Sequence, residues 1–372
     1  MVAVIVFVIF RDDISGEDSW ITAWLFSRGR SLGTADRIAF DEDRDALHAL
    51  FGENLAVLSG DRLAVYDASG TERLSRKVNF SSPALAVAGD RVIAYDRSGS
   101  SALVADTRSV RVEYDFPVLT AAGGSRGHYA LVTRQSGYRS VAQVYDDRDR
   151  LYFKWYSAES YILAAALSPS GRRLAVAAVG QKGETALTTI TFLDTERTEP
   201  LAVAEIEGEP PLAAEFSDNS HVYIVTESGV YFYTDEGLLL GHYSYGGLVL
   251  RSVPKPSLNA LFLHLGRESG RQYGRLVCLS YDGVELGQAA FTEESSGISA
   301  GGRYGASLEG GVLTRYTVED GVLKPEILGE ADARGLILDS NGRILLLYSG
   351  YGKWYNADNM TDNSEQWTDN SE

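Results

Sequence analysis

The carboxylates come first, because aspartate recurs along this chain at positions where acids could gather. A run that is mostly apolar or aromatic ends in Asp in VYDASG (65–70), VADTRS (104–109), VYDDRD (144–149), FLDTER (192–197), YTDEG (233–237), SYDGVE (280–285), VEDG (318–321) and YNADN (355–359). Such residues can ligate a metal, do acid–base work, or cap turns by accepting the backbone N–H two residues on. One aspartate per unit at equivalent positions spreads the charges apart, so turn capping is the expected role. The run Asp146-Asp147-Arg148-Asp149 lacks the Gly and distal Glu of a Ca²⁺ loop and carries a repelling Arg, so it reads as a solvated turn.

Other chemistries find no signature. His48, His128, His221, His242 and His264 fall in different units with no HExxH or HxH spacing, so no metal site is expected. No G-x-S-x-G elbow occurs, and the Gly-rich stretches AAGGSRG (121–127) and SAGGRYG (299–305) lack the Lys-Ser/Thr pair of a phosphate loop and read as turns. The single cysteine, Cys278, excludes an internal disulfide framework and reads as a small hydrophobe in a strand. With 34 basic against 51 acidic residues the net charge is −17, which repels nucleic acid. No catalytic group, cofactor or metal is therefore expected.

Aromatic side chains remain as candidates for contact with a partner. The densest group is LYFKWYSAESY (151–161), and alternation puts Tyr152 and Tyr156 on one strand face, Phe153 and Trp155 on the other. A second group lies in VYFYTDEGLLLGHYSYGG (230–247). Exposed Tyr and Trp are enriched at protein interfaces, so Tyr152, Trp155, Tyr156, Tyr243 and Tyr245 are the expected interaction surface. Packing between neighbouring sheets is the competing role for the same rings.

These residues need elements to hold them, and the aspartate spacing supplies the plan. Asp67, Asp106, Asp146, Asp194, Asp235, Asp282, Asp320 and Asp358 are 39, 40, 48, 41, 47, 38 and 38 residues apart. A second series of turns lies between them, among them AVAGDRVIAY (86–95), ALSPSGRRLAVA (166–177) and ILDSNGRILLL (337–347), each a hairpin signal. The first unit reads as four strands: ALHALF (46–51), NLAVLS (54–59), RLAVYD (62–67) and ERLSRKV (72–78). Forty residues and four strands per unit are the period of a propeller blade, and small residues in PALAVAG (83–89) and ILAAAL (162–167) suit strands crowded at an axis. The expected fold is all-β, an eight-bladed β-propeller of four-stranded blades over 37–356, with seven blades as the alternative count. The last unit offers only three strands, in 335–356, and RIAFDED (37–43) is free to supply its fourth, so an N-terminal strand is expected to close the ring.

Three segments flank the ring. Residues 1–10, MVAVIVFVIF, are wholly apolar but span only about 15 Å as helix, half of a hydrocarbon core of about 30 Å. They are expected to be the outer end of a transmembrane helix that begins upstream, which would put the propeller outside the cytoplasm. Residues 11–36 form a linker whose part EDSWITAWLFSR (17–28) has the spacing of a short amphipathic helix. Residues 357–372 repeat TDNSE, carry no basic residue, and read as a disordered acidic tail.

The stretch LSPSGRRLAVA (167–177) is similar to the turn and strand repeated in WD40-like and TolB-like propellers. Tyr66, Asp67 and Gly70 form a YD-x-x-G pattern similar to quinoprotein-like repeats, without that family's tryptophan-docking motif or quinone ligands. In overall organisation the chain resembles an uncharacterised family of membrane-anchored propellers of Clostridia-type Gram-positive bacteria. That resemblance implies a propeller tethered on the extracytoplasmic side of the cell membrane, and carries no activity with it. Two functions follow as expectations. One is a non-catalytic scaffold for a protein or envelope partner; the other is a small-ligand binder or enzyme using the central funnel, with acids such as Glu215 or Glu205.

Overall fold

The computed structural model describes residues 37–97, 99–266 and 274–355. Among these residues every regular element is a strand, and the strands form eight separate antiparallel sheets. Each sheet is one blade: 47–77, 83–114, 118–157, 161–207, 211–244, 249–290, 295–330 and 335–354, numbered 1 to 8. The predicted apolar run, amphipathic helix and acidic tail lie outside the described residues.

Within a blade the chain runs from the inner strand outward. Blade 1 has Leu47–Phe51, Asn54–Leu58, Arg62–Tyr66 and Glu72–Lys77 in that order, each hydrogen-bonded to the next. Because successive strands are antiparallel, the first and third turns of every blade lie on one face of the ring. The second turns and the links between blades lie on the other. Blade 8 holds three consecutive strands, and its outermost partner is Ile38–Ala39, with Ile38 opposite Gly352 and Ala39 opposite Tyr351. The Phe40 N–H continues the ladder to the Gly350 carbonyl at 3.0 Å.

The core is divided as a propeller requires. A sheet blade cannot bury both faces alone, so apolar side chains cluster between neighbours. Leu58, Val65, Val92 and Ala94 pack between blades 1 and 2, and equivalent clusters fill the successive gaps. Between blades 8 and 1, Ile38 and Leu345 meet Leu55 and Tyr66. Blade 6 departs from the pattern: its inner strand is split into Val249–Leu250 and Lys255–Pro256, both paired to Leu261–Gly266. Pro254 and Pro256 explain the break, since proline has no N–H to give the ladder.

Candidate functional site

The innermost strands surround a cavity of about 950 Å³. Seven of the eight blades contribute to its wall, and most of that wall is Ala, Gly, Leu and Val. Inner strands run from the inter-blade-link face toward the first-turn face, so residue order gives depth along the channel. Leu85, Leu163, Leu212 and Val253 come first, and Asp90, Glu215, Lys255 and Asp339 come later. Leu163, Leu212 and Val253 keep 44%, 50% and 56% of their surface, so the apolar layer opens to the channel instead of packing against protein.

Glu215 on blade 5 and Lys255 on blade 6 are the two charges set among these inner strands. The Tyr223 hydroxyl donates to Glu215 Oε2 at 2.8 Å. Glu215 is exposed to the channel, but the inner strands crowded around it limit its hydration, which raises its carboxyl above the usual range. The Tyr223 hydrogen bond and the field of Lys255 act in the opposite sense. Asp339, by contrast, is only 3% exposed and is held by Arg343 at 2.6 Å and by the N–H groups of Asn341 and Arg343. Glu205, the other acid considered for the funnel, stands on the outer strand Ala202–Glu207, exposed and 3.8 Å from Lys182, far from the channel wall. The channel reading of Glu205 is thus corrected; inner and outer strands carry the same alternation, and only the sheet order separates them.

The recurring aspartates act in turns. Asp67 accepts from the Ser69 and Thr71 N–H groups at 2.9 and 3.1 Å, and Asp106 from Arg108 and Ser109 at 2.7 and 2.8 Å. Asp146 accepts from Arg148 and Arg150, and Asp194 from Glu196. Burial would raise the Asp194 carboxyl, but the Glu196 N–H and the Arg173 guanidinium together hold it below the usual carboxylate range. Asp320 and Gly321 take the left-handed conformation at φ 54° and 73°, the Asp-Gly hairpin geometry. Asp358 lies outside the described residues.

The run at 146–149 is more than the solvated turn it suggested. Asp149 is mostly covered between blades 2 and 3, where Arg91 reaches it at 3.0 Å, Arg111 at 3.0 Å and the Tyr129 hydroxyl at 3.2 Å. Arg91 also donates to the Asp147 carbonyl. Blade 4 holds blade 5 the same way, through Arg173 and Asp235 at 2.7 Å. In both, an Arg opening the second strand grips the third turn of the next blade. Sequence reasoning missed these clamps, although an Arg directly after the first turn at positions 91 and 173 was a visible signal.

The aromatic candidates separate into three environments. Tyr152 and Tyr156 are 42% and 40% exposed, while Phe153 and Trp155 turn inward against the core between blades 3 and 4. Trp155 is therefore packing, not surface. Tyr245 is 1% exposed, inside the cluster between blades 5 and 6, and is corrected in the same way. Tyr243 is half-buried, and its hydroxyl donates to Glu285 at 3.0 Å. Tyr152 reaches the Gly171 carbonyl at 2.8 Å on the first-turn face. Tyr156 lies at the opposite end of its strand with Tyr138, ring centroids 4.6 Å apart. Nearby, Arg139 donates to the Tyr161 hydroxyl at 2.8 Å and covers that ring. Tyr138 and Tyr161, both about as exposed as Tyr156, were not anticipated, because they belong to different strands and meet only through the blade's second turn and its link to blade 4.

Residues 31–302 match the family of unknown function DUF5711, which covers blades 1 to 6 and the whole inner strand of blade 7. The chain belongs to this family. No curated protein matches it. Among solved structures, BamB from Moraxella catarrhalis is similar at a TM-score of 0.54 and 14% identity, over 86% of this chain and 96% of that one. The C-terminal WD40 domain of Sif2 is similar at a TM-score of 0.60 and 12% identity, over 86% and 97%. The β-propeller domain of Myceliophteria thermophila Cps50 (Swd1) is similar at 0.51 and 12%, over 78% and 98%. At these identities the likeness is one of fold, a propeller in this DUF5711 member.

Proposed function

We propose that this propeller is a non-catalytic scaffold that binds a protein partner on the extracytoplasmic side of the cell membrane. The observation that carries the proposal is two exposed pairs, Tyr138–Tyr156 of blade 3 and Arg139–Tyr161 at its junction with blade 4, on the face that bears the inter-blade links. Trp, Tyr and Arg are the side chains most enriched where binding energy concentrates, and each of these three rings keeps about two fifths of its surface open. Tyr138 and Tyr156 hold each other and Arg139 holds Tyr161, so little side-chain entropy is lost on contact.

The tether follows from the seam. We place the membrane attachment in the apolar residues 1–10, and the closure of the ring in the strand Ile38–Ala39. That strand runs from the first-turn face toward the second-turn face, as its Phe40–Gly350 bond shows. The chain thus enters on the face opposite the tyrosine cluster, which leaves the cluster pointing away from the tether.

The test is crosslinking capture from membranes with the full chain against a Tyr138→Ser/Tyr156→Ser variant of unchanged circular dichroism. The parent should recover a protein that the variant loses. Equal recovery by both, or no protein with either, refutes the proposed surface. Protease accessibility of the propeller in intact cells checks the location, and protection there would refute it.

A further inference from the structure

Four aliphatic side chains stand clear of the ring on its first-turn face. Leu238 closes the third turn of blade 5, Leu258 lies in the first turn of blade 6, Val284 closes the third turn of blade 6, and Val322 follows that of blade 7. Each keeps more than half of its surface open. They form one crescent, because the turns that carry them touch. A Cβ at Gly241 would collide with the Asp282 carbonyl oxygen, which sets the start of blade 5's outer strand against the third turn of blade 6. The Tyr281 hydroxyl donates to the Ser257 carbonyl at 2.6 Å and ties that turn to the first turn of its own blade. The Leu258 N–H donates to the Gly302 carbonyl of blade 7 at 2.7 Å, and Gly287 backs on Leu323, beside Val322. The equivalent turns of blade 1, at 52–53 and 67–71, carry no large apolar side chain.

What covers the crescent follows from where the chain enters. Residues before Ile38 arrive on this same face at blade 8, which adjoins blade 7. Among them, outside the described residues, 17–28 carry Trp20, Ala23 and Trp24 at helical spacing. Residues 29–37 span up to about 30 Å when extended, and packed sheets lie about 10 Å apart, so blades 7 and 6 are within reach. Charge agrees. The turns of blades 5 to 7 on this face carry Asp218, Asp235, Glu236, Asp282 and Asp320 against a single base, Arg303. They would repel anionic lipid and attract Arg28 and Arg30, which follow the tryptophans.

We infer that the crescent seats the chain's own residues 17–28. The Trp20–Ala23–Trp24 stripe lies over Leu238, Leu258, Val284 and Val322, and Arg28 and Arg30 face the acidic turns. The segment is then a strap that fixes the ring on the residues before it and leaves the opposite face free. This inference uses only the seam geometry and is independent of the tyrosine surface and of any membrane.

Cysteine crosslinking in the full chain tests it. Ala23→Cys with Leu258→Cys, treated with a short bismaleimide at low protein concentration, should join within one chain, and Trp20→Ser/Trp24→Ser should abolish the link. Ala23→Cys with Tyr156→Cys, on the opposite face, should give none; the native Cys278 is buried and does not compete. Hydrogen exchange gives an independent measure. Amides of 17–28 should exchange at least about tenfold faster in Val284→Ser/Val322→Ser than in the parent, and both positions are exposed, so the ring should still fold. Absence of the intrachain link, its survival without the tryptophans, or unchanged exchange in the folded variant overturns the inference. So does a link found only between chains, which would seat a second copy there. Protection of 17–28 that appears only with phosphatidylcholine vesicles would mark a lipid contact instead, and overturns it as well.

Discussion

Replacing Asp149 by Asn removes one charge from the joint between blades 2 and 3 and leaves the rest of the turn able to form. Asn is chosen because Asp149 adopts φ 64°, a conformation that Asn tolerates and Ala does not. The side chains of Arg91 and Asp149 are 8% and 11% exposed, so the pair is screened little by water. Removing one member of such a pair costs about 3–5 kcal/mol where the other charge is left uncompensated, and Arg91 would keep only the exposed Asp90 at 3.8 Å and the Asp147 carbonyl. Arg111 loses this contact but keeps Asp106 at 3.6 Å, and at 35% exposure its share is below about 1 kcal/mol. Unfolding entropy near 2.1 cal/mol/K per residue over roughly 320 ordered residues gives about 0.7 kcal/mol/K, so the midpoint should fall by about 4–7 °C. Differential scanning calorimetry measures it, with Arg91→Met and the double variant completing a cycle. The double variant should be markedly less destabilised than the sum of the single changes. A midpoint within about 1 °C of the parent for Asp149→Asn, or strict additivity, would refute the idea that the clamp is a coupled buried pair.

Tyr245→Phe should leave the urea midpoint unchanged or raise it, by up to about 1 kcal/mol, because the Tyr245 hydroxyl is buried with no hydrogen-bond partner. Cys278 has its thiol pushed up to about 12 by burial, so iodoacetamide at pH 8 should leave it unmodified until the protein is unfolded in urea. His48, its ring tilted against Phe40 with centroids 5.2 Å apart, has its imidazole lowered by burial, against smaller opposing effects of the Ala46 backbone and Asp43. The unfolded chain therefore takes up that proton first, near pH 6.5, and stability should fall as pH drops from about 7 through the lower native value. In His48→Phe the melting temperature should change less between pH 7 and pH 5; an identical pH profile would exclude His48 as the group. Gly123→Ala should cost about 1–3 kcal/mol in a denaturant melt, since the new Cβ would stand 1.9 Å from the Val87 carbonyl oxygen on the neighbouring inner strand.

Much of the frame could be read locally. The four strands expected in 46–78 are found within a residue or so, at Leu47–Phe51, Asn54–Leu58, Arg62–Tyr66 and Glu72–Lys77. The aspartate turns behave as expected at positions 67, 106 and 146, because an Asx turn is closed by an N–H only two residues away. Such bonds leave their signature inside a single stretch of chain. The face alternation of Tyr152 to Tyr156 was legible for the same reason, while the count of exposed rings was not: Tyr245 resembles Tyr243 in its surroundings, and only the approach of blade 6 buries it.

The sequence by itself determined the unit, its four strands, its turn chemistry and the number of repeats, since hairpin pairing is local and a forty-residue period makes it recur. Tertiary structure alone decided which side chains meet across the gaps. Arg91 finds Asp149 from 58 residues away, and Glu215 and Lys255 line one cavity because inner strands of different blades converge on one axis. Contacts of that kind are set by how the ring is wound, and they leave no periodic trace in the chain that makes them.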